Sequence, residues 1–197
     1  MDVQTYAVVG EVCRLLAGRL SDDALGTVRE DYAAGELDLA DGKLLLNLAY
    51  QSVGITTEER DLIRSFLGDP DDPDLLDVPV IAEVPPPPYR FSPIGPATAP
   101  DPTPVDVLLA AEAPQRRAHH LHRVWRTPLD GAPDEAAWLY VLQVPEGVDE
   151  LSTHSGLMAQ LWISLGNKGP LEVLADGAPR TPYQVAALAA AHLVWSA

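Results

Sequence analysis

The chain has 197 residues, 47% of them hydrophobic, and carries 29 Asp and Glu against 13 Lys and Arg for a formal net charge of -16. That length suits one large domain or two small ones, and the apolar content excludes a wholly disordered chain in spite of 19 prolines. The charge excludes direct binding to a nucleic-acid backbone or an anionic membrane, which it would repel, and points to a basic protein as partner; solubility alone is the competing explanation.

Cys13 is the single cysteine, so the chain forms no intrachain disulfide and no cysteine-based zinc site. The start, Met1-Asp2-Val3-Gln4, has no positively charged n-region, and no apolar run approaches the roughly 18 residues of a membrane span. A cytosolic protein is expected.

From Val3 to about Leu20, Val8, Val9, Val12, Leu15, Leu16 and Leu20 recur at helical spacing and predict an amphipathic helix. Ser21 followed by Asp22 and Asp23 opens a second helix, because a hydroxyl caps free N–H groups and acids suit the helix dipole. It runs to Ala34, buries Leu25, Val28 and Tyr32, and ends at Gly35. A third helix is expected over Leu39–Val53, with Leu44, Leu45, Leu48 and Ala49 inward and Gly54 and Ile55 as its stop. Thr56 and Glu59 stand at capping-box spacing and open a fourth, Glu58–Leu67, closed by Gly68. Four short helices fit one small bundle over residues 1–68.

The run Tyr32-Ala-Ala-Gly35-Glu36-Leu37-Asp38-Leu39-Ala40, then Leu44-Leu45-Leu46-Asn47-Leu48, then Gly54-Ile55-Thr56 with Glu58-Glu59 and Leu62-Ile63, resembles a helical module of small bacterial immunity proteins, the Maf type of polymorphic toxin systems. The resemblance covers about the first third of the chain. It implies that the protein acts by binding a cognate basic toxin, with no catalytic residues, and that acids near the surface of the module, such as Glu36, Asp38 and Asp41, meet that partner. The family is often little more than this module, whereas here a long second part follows.

Residues 69–104 hold twelve of the nineteen prolines. They include the acidic turn Asp69-Pro70-Asp71-Asp72-Pro73-Asp74 and the polyproline run Pro85 to Pro88, and they predict an extended, semi-rigid, partly ordered linker that forms no regular ladder. Tyr89, Phe91 and Ile94 are the residues that would dock it on one of its neighbours.

Beyond Pro104, a short helix over Val105–Ala113 is followed by alternation from Ala118 to Arg126, then by the turn residues Pro128, Asp130-Gly131 and Pro133, then by a strand over Ala137–Val144. Leu151–Leu165 reads as a helix ended by Gly166, Leu171–Leu174 as a third strand, and Thr181-Pro182 as the start of a last helix with Val185, Leu188, Ala189, His192, Leu193 and Trp195 inward. The expected class is α+β: a helical bundle at 1–68, a linker at 69–104, and at 105–197 a small, mainly antiparallel sheet covered by helices.

His119, His120 and His122 are the one cluster of metal-ligand types, but they lack a third or fourth ligand that spacing would place beside them, so no metal is expected. Ser152-Thr153-His154-Ser155 has no nucleophile-elbow context and reads as helix capping, and Gly166-Asn167-Lys168-Gly169 lacks the spacing of a phosphate loop. No catalytic or cofactor-binding residues are assigned. Trp162, beside Ile163, is the one tryptophan kept as a partner contact. The expected function is therefore a non-enzymatic, occluding binding protein. An assembly adaptor is the alternative, and an enzyme or metal-binding protein, resting on the histidines, is the third.

Overall fold

The structure, a computed structural model, describes residues 3–166 and 169–197. It is an α+β protein with eight α-helices and five strands among the described residues. They form two compact units, Met1–Pro87 and Pro88–Ala197. The boundary thus falls inside the proline-rich stretch, and the separate linker expected over 69–104 is replaced by two segments, each folded into one unit.

The first unit is built from α1 (Val3–Leu16), α2 (Asp22–Ala34), α3 (Leu37–Tyr50), α4 (Thr57–Arg64) and the single turn α5 (Asp74–Asp77). Ser21 caps α2 by accepting the Ala24 N–H, and Gly35 ends it in the left-handed region at φ 80°, where a β-carbon would be strained. Thr56 and Glu59 form the expected reciprocal capping box on α4. Three helices end earlier than in the sequence reading, among them α4, which closes at Arg64 rather than Leu67. Helix α1 stops at Leu16 and leaves Leu20 buried in the following turn. Helix α3 ends at Tyr50, with Ser52 rather than Gly54 taking a positive φ of 53°. Ile55 is instead a core residue whose backbone pairs with the segment Pro79–Ile81.

The acidic proline turn belongs to this unit because Leu75 and Val78 are buried. The guanidiniums of Arg60 and Arg64 on α4 also donate to the carbonyls of Leu75 and Pro70, at 3.0 and 3.1 Å. A second cross-brace is Arg19, which donates to both oxygens of Glu59 at 2.5 and 3.1 Å and to the Gly54 carbonyl. Glu59 thus caps α4 and at the same time anchors the end of α1, a forked charge-assisted contact.

The second unit holds β1 (Tyr89–Ser92), α6 (Thr103–Glu112), a 3-10 turn at Ala113–Arg116, β2 (His120–Pro128), β3 (Ala137–Val144), α7 (Glu150–Leu165), β4 (Leu171–Ala175), α8 (Pro182–Ala190) and β5 (His192–Ser196). The sheet runs β1-β2-β3-β4, with β4 parallel to β3 through the α7 crossover and the other pairs antiparallel. Two short strands share the far edge of β2: β5 pairs with His120–Arg123 and β1 with Trp125–Pro128. Helices α6 and α7 cover one face over Leu109, Leu121, Tyr140, Leu142, Leu157, Leu161 and Val173. Helix α8 meets the other face with Tyr183, Gln184 and Ala187.

Strands β1 and β5 both contradict the sequence reading. Pro88 and Pro93 bracket Tyr89–Ser92 rather than interrupt it, so the ladder N–H groups between them are intact. The final apolar run, read as helix through Trp195, leaves the helix at Ala191, whose ψ is 151°. It then continues as a strand with a bulge opposite Leu121 and His122. In α8 the inward residues are accordingly Tyr183, Gln184 and Ala187, while Val185 is 53% exposed. The segment 93–104 docks on β3: the Trp138 indole N–H donates to the Pro100 carbonyl at 2.9 Å, and a β-carbon at Gly95 would fall 2.8 Å from that indole. Ile94, expected to pack, is 77% exposed.

Candidate protein-binding surface

Helix α3 is rich in leucine, and its two faces use it differently. Ala40, Leu44, Leu45 and Leu48 lie inward at helical spacing and are essentially fully buried. On the outer side Leu39 is 50% exposed, Leu46 64% and Tyr50 85%. Steps of seven and four residues keep these three within about 40° of one another around the axis, spread over about 16 Å of its length. Lys43 falls in the same row, but its ammonium lies 2.6 Å from Asp31 of α2, which draws it toward that neighbour. The sequence reading missed this row. The signal was available: an α-helix carrying a buried leucine stripe and three further leucines and a tyrosine has more apolar surface than one face can bury.

Of the acids expected to meet a partner, Glu36 and Asp38 are exposed at the start of α3. Asp41 is not. It lies on the inward stripe with Leu44, Leu45 and Leu48, is 8% exposed, and accepts the Tyr32 hydroxyl at 2.6 Å and the Gly68 N–H at 2.9 Å. Burial, reinforced by the Asp41 carboxylate, pushes the Tyr32 phenol well above its ordinary range, so Tyr32 remains the donor. Asp41 is thus a staple between α2, α3 and the end of the α4 segment, and the expectation of a surface acid at that position is corrected.

Trp162 belongs to the other unit. It is 58% exposed near the end of α7, next to Ile163 at 77% and close to Leu165 at 38%. Gly166 ends that helix in the left-handed region, as the sequence predicts. The cap at its start is Asp149, which accepts the N–H groups of Leu151 and Ser152 and the Ser152 hydroxyl, rather than the serines and threonine of the 152–155 run.

The histidines are engaged in separate places. His119 lies 2.9 Å from Asp176, and His122 bonds the Gln143 side chain at 3.0 Å. The His120 and His122 rings share one face of β2 at 5.9 Å. Among the described residues no three His, Cys, Asp or Glu side chains are grouped as metal ligands. Burial holds the His122 imidazole below its ordinary pKa of 6.5; His120, Arg180 and His192 press it the same way, while the Gln143 bond opposes them. A depressed histidine pKa means that the unfolded chain takes up the proton first. The stability His122 contributes is therefore complete above pH 6.5 and is lost as pH falls from there toward the folded-state value. Chemical denaturation of wild type and His122→Gln between pH 7.5 and 5 is expected to show a stability difference that moves against wild type as pH falls. A difference independent of pH would remove His122 as the titrating group.

Elsewhere on the sheet, polar side chains are used for internal bracing. Arg123 pairs with Asp106 of α6 and stacks 4.6 Å over Trp138, while Tyr140 donates to the other Asp106 oxygen at 2.8 Å. On the opposite face Gln184 donates to buried Glu172 at 2.9 Å. Comparison with protein-family models, curated proteins and solved structures found no match. No described helix is long and apolar enough to cross a membrane.

Proposed function

We propose that this chain is an acidic, non-enzymatic binding protein of the cytosol that inhibits a basic protein by occupying it, as an immunity protein occupies its cognate toxin. The observation that carries the reading is where the charge lies. Met1–Pro87 contains 18 Asp and Glu against 6 Lys and Arg, so this unit alone holds -12 of the net -16. Several of those few cations are also committed internally: Arg19 to Glu59, Lys43 to Asp31, Arg60 and Arg64 to backbone carbonyls, and Arg29 is buried. A small helical bundle with that field attracts a basic surface and speeds its encounter.

Affinity capture of the tagged chain from its host, washed at low and high salt, tests the reading. One dominant basic protein in fixed ratio, toxic when expressed alone and harmless when co-expressed, is the expected result. With that protein in hand, raising salt from 50 to 500 mM is expected to slow association at least about tenfold while changing dissociation much less, because steering is screened and short-range contacts are not. A salt-independent association rate would defeat the steering mechanism. A second reading, an adaptor bridging larger assemblies, is favoured by exposed apolar side chains in each unit: Leu39, Leu46 and Tyr50 in one, Trp162 and Ile163 in the other. It would be supported instead by several captured partners, or by self-association.

A further inference from the structure

We infer that the outer row of α3 is the docking site for a cationic amphipathic helix carried by a protein partner, with Leu39, Leu46 and Tyr50 as the apolar anchors and Glu36 and Asp38 as the acidic rim. The inference rests on the proposed binding function and names the surface and the shape of what it binds.

Three features of the row argue for it. Its anchors follow steps of seven and four residues along one helix, which is the pattern that another helix presents at i, i+4, i+7 and i+11. The anchors are exposed while Leu44, Leu45 and Leu48 of the same helix are buried, so the row costs nothing in the bundle's own core and is left uncovered by it. A tyrosine at 85% exposure supplies a large, rigid contact at one end.

Charge chooses the occupant. The sole lysine in the row is held by Asp31 at 2.6 Å, and the exposed acids at the start of α3 have no basic neighbour on their own helix beyond it. The surrounding unit carries -12, so a second copy of this chain would set one strongly negative bundle against another, and an anionic lipid surface would be repelled in the same way. A helix with an apolar stripe flanked by Lys and Arg meets both requirements: it fills the row and neutralises the rim.

The test uses the full chain and two synthetic 18-residue peptides of identical Leu, Lys and Ala composition. One places leucine at i, i+4, i+7 and i+11 and the other is scrambled to abolish the stripe. Fluorescence anisotropy at 50 mM salt is expected to show the amphipathic peptide binding at least about tenfold more tightly. Leu39→Ala with Leu46→Ala should erase that preference, and Glu36→Gln with Asp38→Asn should weaken both peptides alike. All four positions are exposed, so far-UV circular dichroism is expected to stay unchanged and to certify folding.

If both peptides bind equally and salt releases them, the α3 assignment is overturned while the basic-partner reading survives. If neither peptide binds at any salt, both fall. If Leu39→Ala with Leu46→Ala leaves the preference intact, the row is not the site. A concentration-dependent dimer in sedimentation that Leu46→Arg abolishes would identify a second copy as the occupant and likewise overturn the proposal.

Discussion

Arg126→Met is expected to destabilise the Pro88–Ala197 unit by about 3–5 kcal/mol, the usual cost of removing one partner from a buried ion pair. Arg126 sits on β2 at 1% exposure. Its guanidinium donates to the Tyr183 hydroxyl of α8 at 3.0 Å, lies 3.6 Å from Asp134 in the β2–β3 connection, and stacks 4.7 Å from the centre of the Tyr89 ring on β1. Tyr89 in turn donates to Asp134 at 3.1 Å and packs edge-on against Tyr183 at 5.7 Å. One side chain therefore joins the short edge strand, the central strand, the hairpin and the covering helix. Methionine keeps much of the volume, so the loss reads out the charge and its hydrogen bonds rather than a cavity.

The measurement is made clean by composition. Trp125, Trp138, Trp162 and Trp195 all belong to this unit, so tryptophan fluorescence in denaturant follows it alone. A loss below about 1 kcal/mol would mean that the aromatic packing holds β1 and α8 without the guanidinium. Arg126→Met with Asp134→Asn is expected to recover part of the loss, since no carboxylate is then left beside an empty position.

Arg126 also marks where the sequence stops being legible. Alternation along 118–126 predicts a strand and places Arg126 on a face with His120, His122 and Val124, but it does not tell that this face is covered. A sheet buried on both sides hides its covering helix in distant sequence, here Pro182–Ala190. Helices α1 to α4 of the first unit were readable because their signals are local: Ser21 and Gly35 around α2, and the Thr56 and Glu59 box on α4. Strands β1 and β5 were not, because each is only four or five residues long and is made a strand by β2, a partner many residues away. The proline-rich stretch misled for a related reason. Prolines forbid their own N–H from a ladder, but they leave Leu75, Val78, Tyr89 and Trp138-bound Pro100 free to dock on a core that composition cannot reveal.

The candidate surface shows the same division. Glu36, Asp38 and Trp162 are exposed, as a contact residue has to be, whereas Asp41 is not. Leu39, Leu46 and Tyr50 were legible too, since an inward stripe of Leu44, Leu45 and Leu48 leaves this helix with more apolar side chains than one face can bury.

Asp41 gives the sharpest contrast between a structural and a binding acid, and Asp41→Ala is expected to cost the first unit about 3 kcal/mol. The carboxylate accepts two hydrogen bonds, from the Tyr32 hydroxyl at 2.6 Å and the Gly68 N–H at 2.9 Å. Bonds to a charged acceptor are worth about 1.5–3 kcal/mol each, and the deletion leaves a buried phenol with its partner gone. Asp41→Asn keeps one acceptor oxygen and is expected to lose about half as much. The unit contains no tryptophan, so the transition is followed by far-UV circular dichroism, with tryptophan fluorescence of the other unit as the internal control. Asp38→Asn, three residues earlier and exposed, is expected to change stability by less than about 0.5 kcal/mol. If Asp41→Ala instead left the transition unmoved and weakened capture of a basic partner as Asp38→Asn does, Asp41 would be a contact residue and the staple would be wrong. The two acids differ by less than one helical turn in sequence. It is the leucine stripe, turning Asp41 inward and Asp38 outward, that gives one to the fold and the other to the surface.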